Sequence, residues 1–262
     1  MINIIYNEDC FKTIQRMKDT GQKISGVMTS PPYNTGRPNF SEKALNNHEG
    51  RYDIHLDTLS TEEYINNTIS LFNELDDVLD KNGVILYNMS YSTDIKRNKD
   101  ASSLLWLTIA DIIRHTNFTV IDRIIWKKSS ALPNNTSHNK LTRIVEDVFV
   151  IVRKSEIFDF NANKKVKSVS RTGQKFYENV FNFIEAKNND GSCKLNKATY
   201  SSELCEKLFD IYFKENDIVY DPFMGTGTTA VACINKGINF IGSELSLGQC
   251  EFAENRIESM GR

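Results

Sequence analysis

Asp217-Ile218-Val219-Tyr220-Asp221-Pro222-Phe223-Met224-Gly225-Thr226-Gly227-Thr228-Thr229 is the stretch on which the fold turns. Asp217–Tyr220 reads as a short strand, Asp221–Gly227 as a glycine-bearing turn, and a helix begins near Thr228. That is the layout of a nucleotide-binding crevice at the carboxyl edge of a sheet. Gly225 and Gly227 let the backbone turn tightly and approach a ligand with no Cβ in the way. The amides of such a turn and helix start can receive a carboxylate or phosphate oxygen. No Gly-Lys-Ser/Thr ending follows, which argues against a P-loop. Beyond Asn239-Phe240-Ile241-Gly242, Glu244 stands at the tip of the next strand, placed to accept both ribose hydroxyls. On geometry alone a nicotinamide or flavin cofactor also fits, and a bare Gly-x-Gly is as often a structural turn.

Outward from this stretch, short β-rich runs alternate with helical spacing. The pattern predicts strands at Ile2–Tyr6, Ile24–Met28, Gly83–Asn88, Val120–Trp126, Asp147–Arg153, Ile218–Tyr220 and Phe240–Gly242. It predicts helices at Cys10–Met17, Ser60–Leu79, Leu104–His115, Ser201–Phe213, Thr228–Lys236 and Leu247–Glu258. Such alternation means a layered α/β fold around a mostly parallel sheet. Asn34–Asp57 and Ser155–Lys197 do not fit it, and loops that long are usually functional or disordered.

The second informative stretch is Thr29-Ser30-Pro31-Pro32-Tyr33, at the end of the apolar run Ile24–Met28. Neither proline can donate to a sheet ladder, so both belong where the strand has ended and a rigid turn presents something. Taken alone, this is also compatible with a plain polyproline turn.

With 262 residues, 40% hydrophobic, the chain can bury one substantial core, with or without a small appendage. No run approaches the roughly 20 apolar residues of a bilayer span. Met1–Tyr6 lacks a basic leader and reads as a first strand rather than a signal peptide. Cys10, Cys193, Cys205, Cys233 and Cys250 are scattered and never paired as CxxC, which argues for a reducing compartment and against a disulfide framework or structural zinc. The net charge of −2 hides an asymmetry: Arg123–Lys175 carries 12 Lys/Arg against 4 Asp/Glu, whereas both flanks are acidic. A basic middle suits a surface facing phosphates, although a solvated loop region has the same composition.

Taken together and in this order, the two stretches resemble the amino-group DNA methyltransferases, and the base-site stretch preceding the glycine loop resembles their permuted β group. The resemblance extends to Asp9-Cys10, Ser60–Asn88, Ile124–Lys128 and Leu247–Ile257. It implies a Rossmann-like methyltransferase fold using S-adenosylmethionine (SAM), without a metal, with helices on both faces of the sheet and a small inserted recognition region. Residues 1–128 would form the target-base half, 129–197 a basic recognition region with one core strand (147–153), and 198–262 the donor half.

By the same resemblance, SAM would meet Thr29, Asp221, Phe223, Gly225, Thr226, Gly227, Thr228, Thr229 and Glu244. Asp9 and Cys10 match the family's adenine-contacting turn, although Asp9 is equally placed to cap the helix that starts at Cys10. Ser30 Oγ and the Pro31 carbonyl would accept from the exocyclic amine of an extruded base, Tyr33 would stack on it, and Pro32 has no N–H to compete. No cysteine follows a proline, so the nucleophile of carbon methylation is missing. Double-stranded DNA is the expected partner, with Arg37, Lys127, Lys128, Lys140, Arg143, Lys164, Lys165, Lys167 and Arg171 as its contacts.

Two departures stand out. The family's His-Pro-x-x-x-Pro segment is replaced by Asn196-Lys197-Ala198-Thr199-Tyr200-Ser201, where Tyr200 would keep the aromatic role at the donor site and Thr199 or Ser201 would bond the donor's methionine end. The recognition region is short, which points to a brief target or a homodimer. Ser30 leans toward cytosine N4 over adenine N6 within the family; an RNA base, or a SAM-binding module without turnover, are the competing readings. The expected setting is cytoplasmic and nucleoid-associated, in a bacterium, phage or virus.

Overall fold

A computed structural model of the chain describes residues 2–34, 59–92, 98–131, 133–135, 138, 140–191, 196 and 199–261. In chain order the sheet elements are β1 (Ile4–Tyr6), β2 (Ile24–Thr29), β3 (Leu79–Met89), β4 (Phe118–Lys128), β5 (Val145–Arg153), β6 (Val166–Val169), β7 (Lys175–Tyr177), β8 (Phe183–Ala186), β9 (Ile218–Asp221) and β10 (Asn239–Ser243). The helices are α1 (Cys10–Thr20), α2 (Thr61–Val78), α3 (Leu104–His115), α4 (Ser202–Tyr212), α5 (Thr228–Asn235) and α6 (Leu247–Glu258).

Four of the described helices, α1, α2, α4 and α6, start where a short polar side chain satisfies a free amide. Asp9 accepts from Phe11 N at the head of α1, and Gly21 closes that helix in the left-handed region. Ser60 and Glu63 form a reciprocal capping box on α2, whose inward stripe is Tyr64, Ile65, Thr68, Leu71, Phe72, Leu75 and Val78. Ser201 and Ser246 cap α4 and α6 by accepting from Leu204 N and Gln249 N.

The main sheet runs β1-β10-β9-β2-β3-β5-β4-β8. Its described pairs are parallel except for β5, which lies antiparallel between β3 and β4. Helices cover both faces, so β5 reads as a near-continuous apolar run, Val148–Val152, rather than an alternating one. One face packs Leu204, Leu208, Phe209, Ala230, Cys233 and Ala253 from α4, α5 and α6. The other packs Ile14, Phe72, Leu75, Leu105 and Ile112 from α1, α2 and α3.

The pairing of β2 with β9, Gly26 opposite Val219 and Val27 opposite Tyr220, brings together segments far apart in the chain. The helix after β2 goes to one face of the sheet and the helix after β9 to the other. A crevice must open between two parallel strands whose connections diverge this way, and ligands of open α/β sheets bind there.

The middle of the chain departs from the expectation. Besides β5 it supplies β8, which pairs parallel with β4 from Ile125 opposite Phe183 to Lys128 opposite Ala186 and extends the sheet edge. Trp126 Nε1 donates to the Ala186 carbonyl at 3.3 Å across this seam. Only the β6–β7 ribbon stands apart, with every residue of both strands exposed. No helix among the described residues is long and apolar enough to cross a membrane.

Candidate active site

The two diagnostic stretches meet through one hydrogen bond. Thr29 Oγ1, the residue before Ser30, donates to Asp221 Oδ1 at 2.9 Å. The fully buried Asp221 carboxylate also accepts from Phe223 N at 3.0 Å, Tyr200 OH at 3.0 Å and the Thr229 hydroxyl. Burial, opposed by these bonds, raises its pKa above the ordinary carboxylate value. Asp221 therefore clamps the glycine turn to the end of β2, with its oxygens directed into the protein.

The turn itself is shaped for close approach. Gly225 and Gly227 have φ of 56° and 82°, in the left-handed region. Gly225 N donates to Glu244 Oε2 at 2.8 Å, and Ser246 N donates to Glu244 Oε1 at 2.9 Å. Burial also raises the Glu244 pKa. Beside the turn, Asn196 Nδ2 donates to Gln249 Oε1 at 2.9 Å, while the buried Gln249 Nε2 has no partner among the described residues.

A cavity of about 390 Å³ lies beside Glu244 and Ser246; Gly225, Gly227, Asn196 and Gln249 are not among its lining residues. It is lined by Glu8–Phe11, Pro222, Phe223 and Ser243–Ser246, by Ser30, Pro31 and Pro32, and by Leu59, Tyr64, Thr68, Leu71 and Tyr87. Of the expected site residues, the structure thus brings Asp9, Cys10, Ser30, Pro31, Pro32, Phe223 and Glu244 around one space.

Others take supporting posts. Tyr200 is buried on Asp221 and Thr229; Ser201 Oγ accepts from Leu204 N and donates to the Lys187 carbonyl, and Thr229 belongs to the clamp. Arg256 Nη1 donates to Thr226 O and Thr228 Oγ1 at 3.3 Å each, and Thr199 is partly exposed away from the cavity lining. Of the described residues of the altered stretch, Asn196 and Tyr200 thus stand as props beside the turn, and none lines the cavity.

On the base side, the Ser30 and Tyr33 hydroxyls lie 2.8 Å apart, and Tyr33 OH donates to Glu146 Oε2 at 2.9 Å. Asn88 Nδ2 reaches Tyr33 OH at 2.8 Å and Ser30 Oγ at 3.3 Å. Lys128 Nζ pairs with Glu146 Oε1 and sits 4.9 Å from the centre of the Trp126 ring. Glu146 and Asn88 carry no local sequence signal; only the β3–β5 and β4–β5 pairings bring them to Tyr33.

The expected DNA contacts divide. Lys164, Lys165, Lys167 and Arg171 are exposed on and around the β6–β7 ribbon, beside the half-exposed Phe176 and Tyr177. Lys127 instead pairs with Glu185 at 2.6 Å, Lys128 with Glu146, and Arg143 with the Tyr91 carbonyl and ring. Lys140 is partly exposed, and Arg37 lies outside the described residues.

The four described cysteines are chemically quiet. Burial pushes the Cys10 and Cys250 thiols up to about 12 and also raises those of Cys205 and Cys233 well above the ordinary value. Brief maleimide treatment of the native protein is expected to leave these four unmodified by peptide mass mapping, with labelling only on unfolding. Rapid native labelling of any of them would contradict this placement.

With fold and site established, the chain belongs to the DNA methylase family, the N6/N4 methyltransferases, whose profile matches residues 24–255. Among curated relatives, Type II methyltransferase M.MthZI of Methanothermobacter thermautotrophicus is 25% identical over 274 residues, covering 94% of this chain and 75% of that protein. Type II methyltransferase M.Cfr9I of Citrobacter freundii is 22% identical, covering 97% and 87%. Among solved structures, the cytosine-N4-specific PvuII DNA methyltransferase superposes with a TM-score of 0.66 at 17% identity, over 98% of this chain and 90% of that one. The M1.HpyAVI–SAM complex gives 0.59 at 22%, over 96% and 97%.

Proposed function

We propose that this enzyme transfers a methyl group from SAM to N4 of a cytosine extruded from duplex DNA, in the manner of the permuted β group. The observation that carries the proposal is the Thr29–Asp221 bond, which ties the Ser30 turn and the glycine turn to one rim. The cavity suits the donor's nucleoside end, since Glu244 stands in its lining at a strand tip as a ribose acceptor would; Gln249 lies beside Gly225, next to the turn rather than in that lining. Asp9, Phe223 and Glu244 would hold the nucleoside end, and the Gly225–Gly227 turn the methionine end. Bound SAM supplies a methyl already activated on a sulfonium, so no covalent enzyme intermediate is needed.

An aromatic amine is a poor nucleophile because its lone pair is delocalised into the ring. Ser30 Oγ and the Pro31 carbonyl, gripping its hydrogens, would draw the nitrogen toward sp³ character and free that pair. Fixed alignment of the two reactants then supplies most of the rate. Extrusion of the base costs a few kcal/mol, of which stacking on Tyr33 would return about 1–3 kcal/mol. The exposed basic ribbon with Phe176 and Tyr177 is suited to DNA contact during this step.

Labelled SAM and mixed-sequence duplex DNA, followed by digestion to nucleosides, test the proposal. N4-methylcytosine is the expected product. N6-methyladenine alone would overturn the choice of base, and label appearing only in a parallel RNA arm would overturn the choice of nucleic acid.

A further inference from the structure

Glu146 stands at the end of a directed series of hydroxyls that begins at Ser30. A phenol has one proton, and that of Tyr33 is donated to Glu146 Oε2 at 2.9 Å. At the 2.8 Å contact between Ser30 and Tyr33 the serine must then be the donor. One of its lone pairs accepts from Asn88 Nδ2 at 3.3 Å, and the other is left to accept at the border of the cavity that Ser30 lines. Asn88 Nδ2 donates to both Tyr33 OH and Glu146 Oε2, at 2.8 and 3.1 Å, and fixes the phenol against the carboxylate.

A serine hydroxyl can pass a proton on but cannot keep one, because a protonated alcohol is a strong acid. A Ser-type base site therefore needs a separate group where the proton can rest. We infer that Glu146 is this group, receiving the proton released on amine methylation through Ser30 and Tyr33. The inference rests on the amino-methylation reading above.

The step balances. The amine lone pair forms the N–C bond while the C–S bond breaks and its electron pair stays on sulfur, leaving a cationic methylamino group. That group's N–H proton moves to Ser30 Oγ, the Ser30 proton to Tyr33 OH, and the Tyr33 proton to Glu146 Oε2. The methylamino base is then neutral and Glu146 is a carboxylic acid, whose side chain, 11% exposed, returns the proton to water.

The charged group facing Glu146 is Lys128 of β4, paired to its other oxygen. Tyr33 is the titratable group between Glu146 and Ser30. Asp147, the next residue of β5, points to the opposite sheet face and is paired with Arg123 at 2.6 Å. Glu146 and Lys128 are thus committed to the base site, which removes Lys128 from the set of simple phosphate contacts.

Single-turnover rates of wild type, E146Q, E146D and Y33F test this across pH, with saturating SAM and duplex DNA that the wild type methylates. E146Q and Y33F are expected to slow the step by about 10²-fold or more. SAM affinity by calorimetry and DNA affinity by gel shift should stay within about 3-fold of wild type. The wild-type rate should fall with acid as a one-proton step that E146Q abolishes and E146D retains. An E146Q rate within about 3-fold of wild type, with the same pH profile, would overturn the inference. Should E146Q fail to fold, Y33F decides, since removing one oxygen breaks the same relay: an unslowed Y33F refutes it. A wild type that makes no methylamino nucleoside refutes the reaction reading itself, and the relay with it.

Discussion

Gly225→Val is expected to abolish SAM binding while the protein remains folded. Position 225 has φ of 56°, a conformation that costs a β-branched residue about 1–3 kcal/mol. A Cβ there would lie 3.4 Å from Asn196 Nδ2 and 3.6 Å from Gln249 Oε1, and the valine methyls would project further into that pair. Escape from the strain would move Gly225 N, which donates to Glu244 Oε2, and so shift the turn and the ribose acceptor together. A loss of at least about 100-fold in affinity follows from distortion of roughly 3 kcal/mol. Calorimetry with SAM measures it; affinity within about 3-fold of wild type would mean that this turn is not the donor seat.

Asp221→Ala is expected to cost both stability and turnover. It leaves Phe223 N and the Thr29, Tyr200 and Thr229 hydroxyls without a shared buried acceptor. Orphaned buried donors cost about 1–3 kcal/mol each, partly offset here by removing a desolvated charge, so a net loss of about 3 kcal/mol is reasonable. For a chain of this size that lowers Tm by roughly 5–10 °C. Turnover should fall further than stability explains, because the two turns are no longer tied. An unchanged Tm would show that the clamp is not structural.

The pH dependence of this effect has a definite sign. Burial raises the Asp221 pKa, so its favourable contribution is fully present below the unfolded value of about 4 and is lost as pH rises through the native value. Asp221→Asn should therefore be most inferior to wild type in acid and closest to it at high pH, by denaturant titration.

Much of this was legible in the sequence. The turn at Asp221–Gly227, the prolines at Pro31–Pro32 and the alternating periodicity each carry their signal within a few residues, and each element they predict forms. β8 escaped because its four residues alternate exposed and buried at a sheet edge, too short a run to stand out. The β6–β7 ribbon escaped because every residue of both strands is exposed, so no apolar face records it. Lys128 reads in the sequence as a DNA contact, and Glu146 carries no signal there; they become partners only because strands β4 and β5 lie in register beside Tyr33. Tyr200, in the stretch that departs from the family pattern, bonds Asp221 through its hydroxyl, a partner that no local pattern records.

A crystal structure of the protein with duplex DNA and a non-transferable SAM analogue tests the central claim most directly. The account predicts an extruded base whose exocyclic nitrogen lies about 2.9 Å from Ser30 Oγ. It also predicts that this nitrogen stands roughly 3–3.5 Å from the atom replacing the donor methyl. An analogue seated away from Phe223 and Glu244, or a base held on the far side of Ser30 from it, would contradict the account.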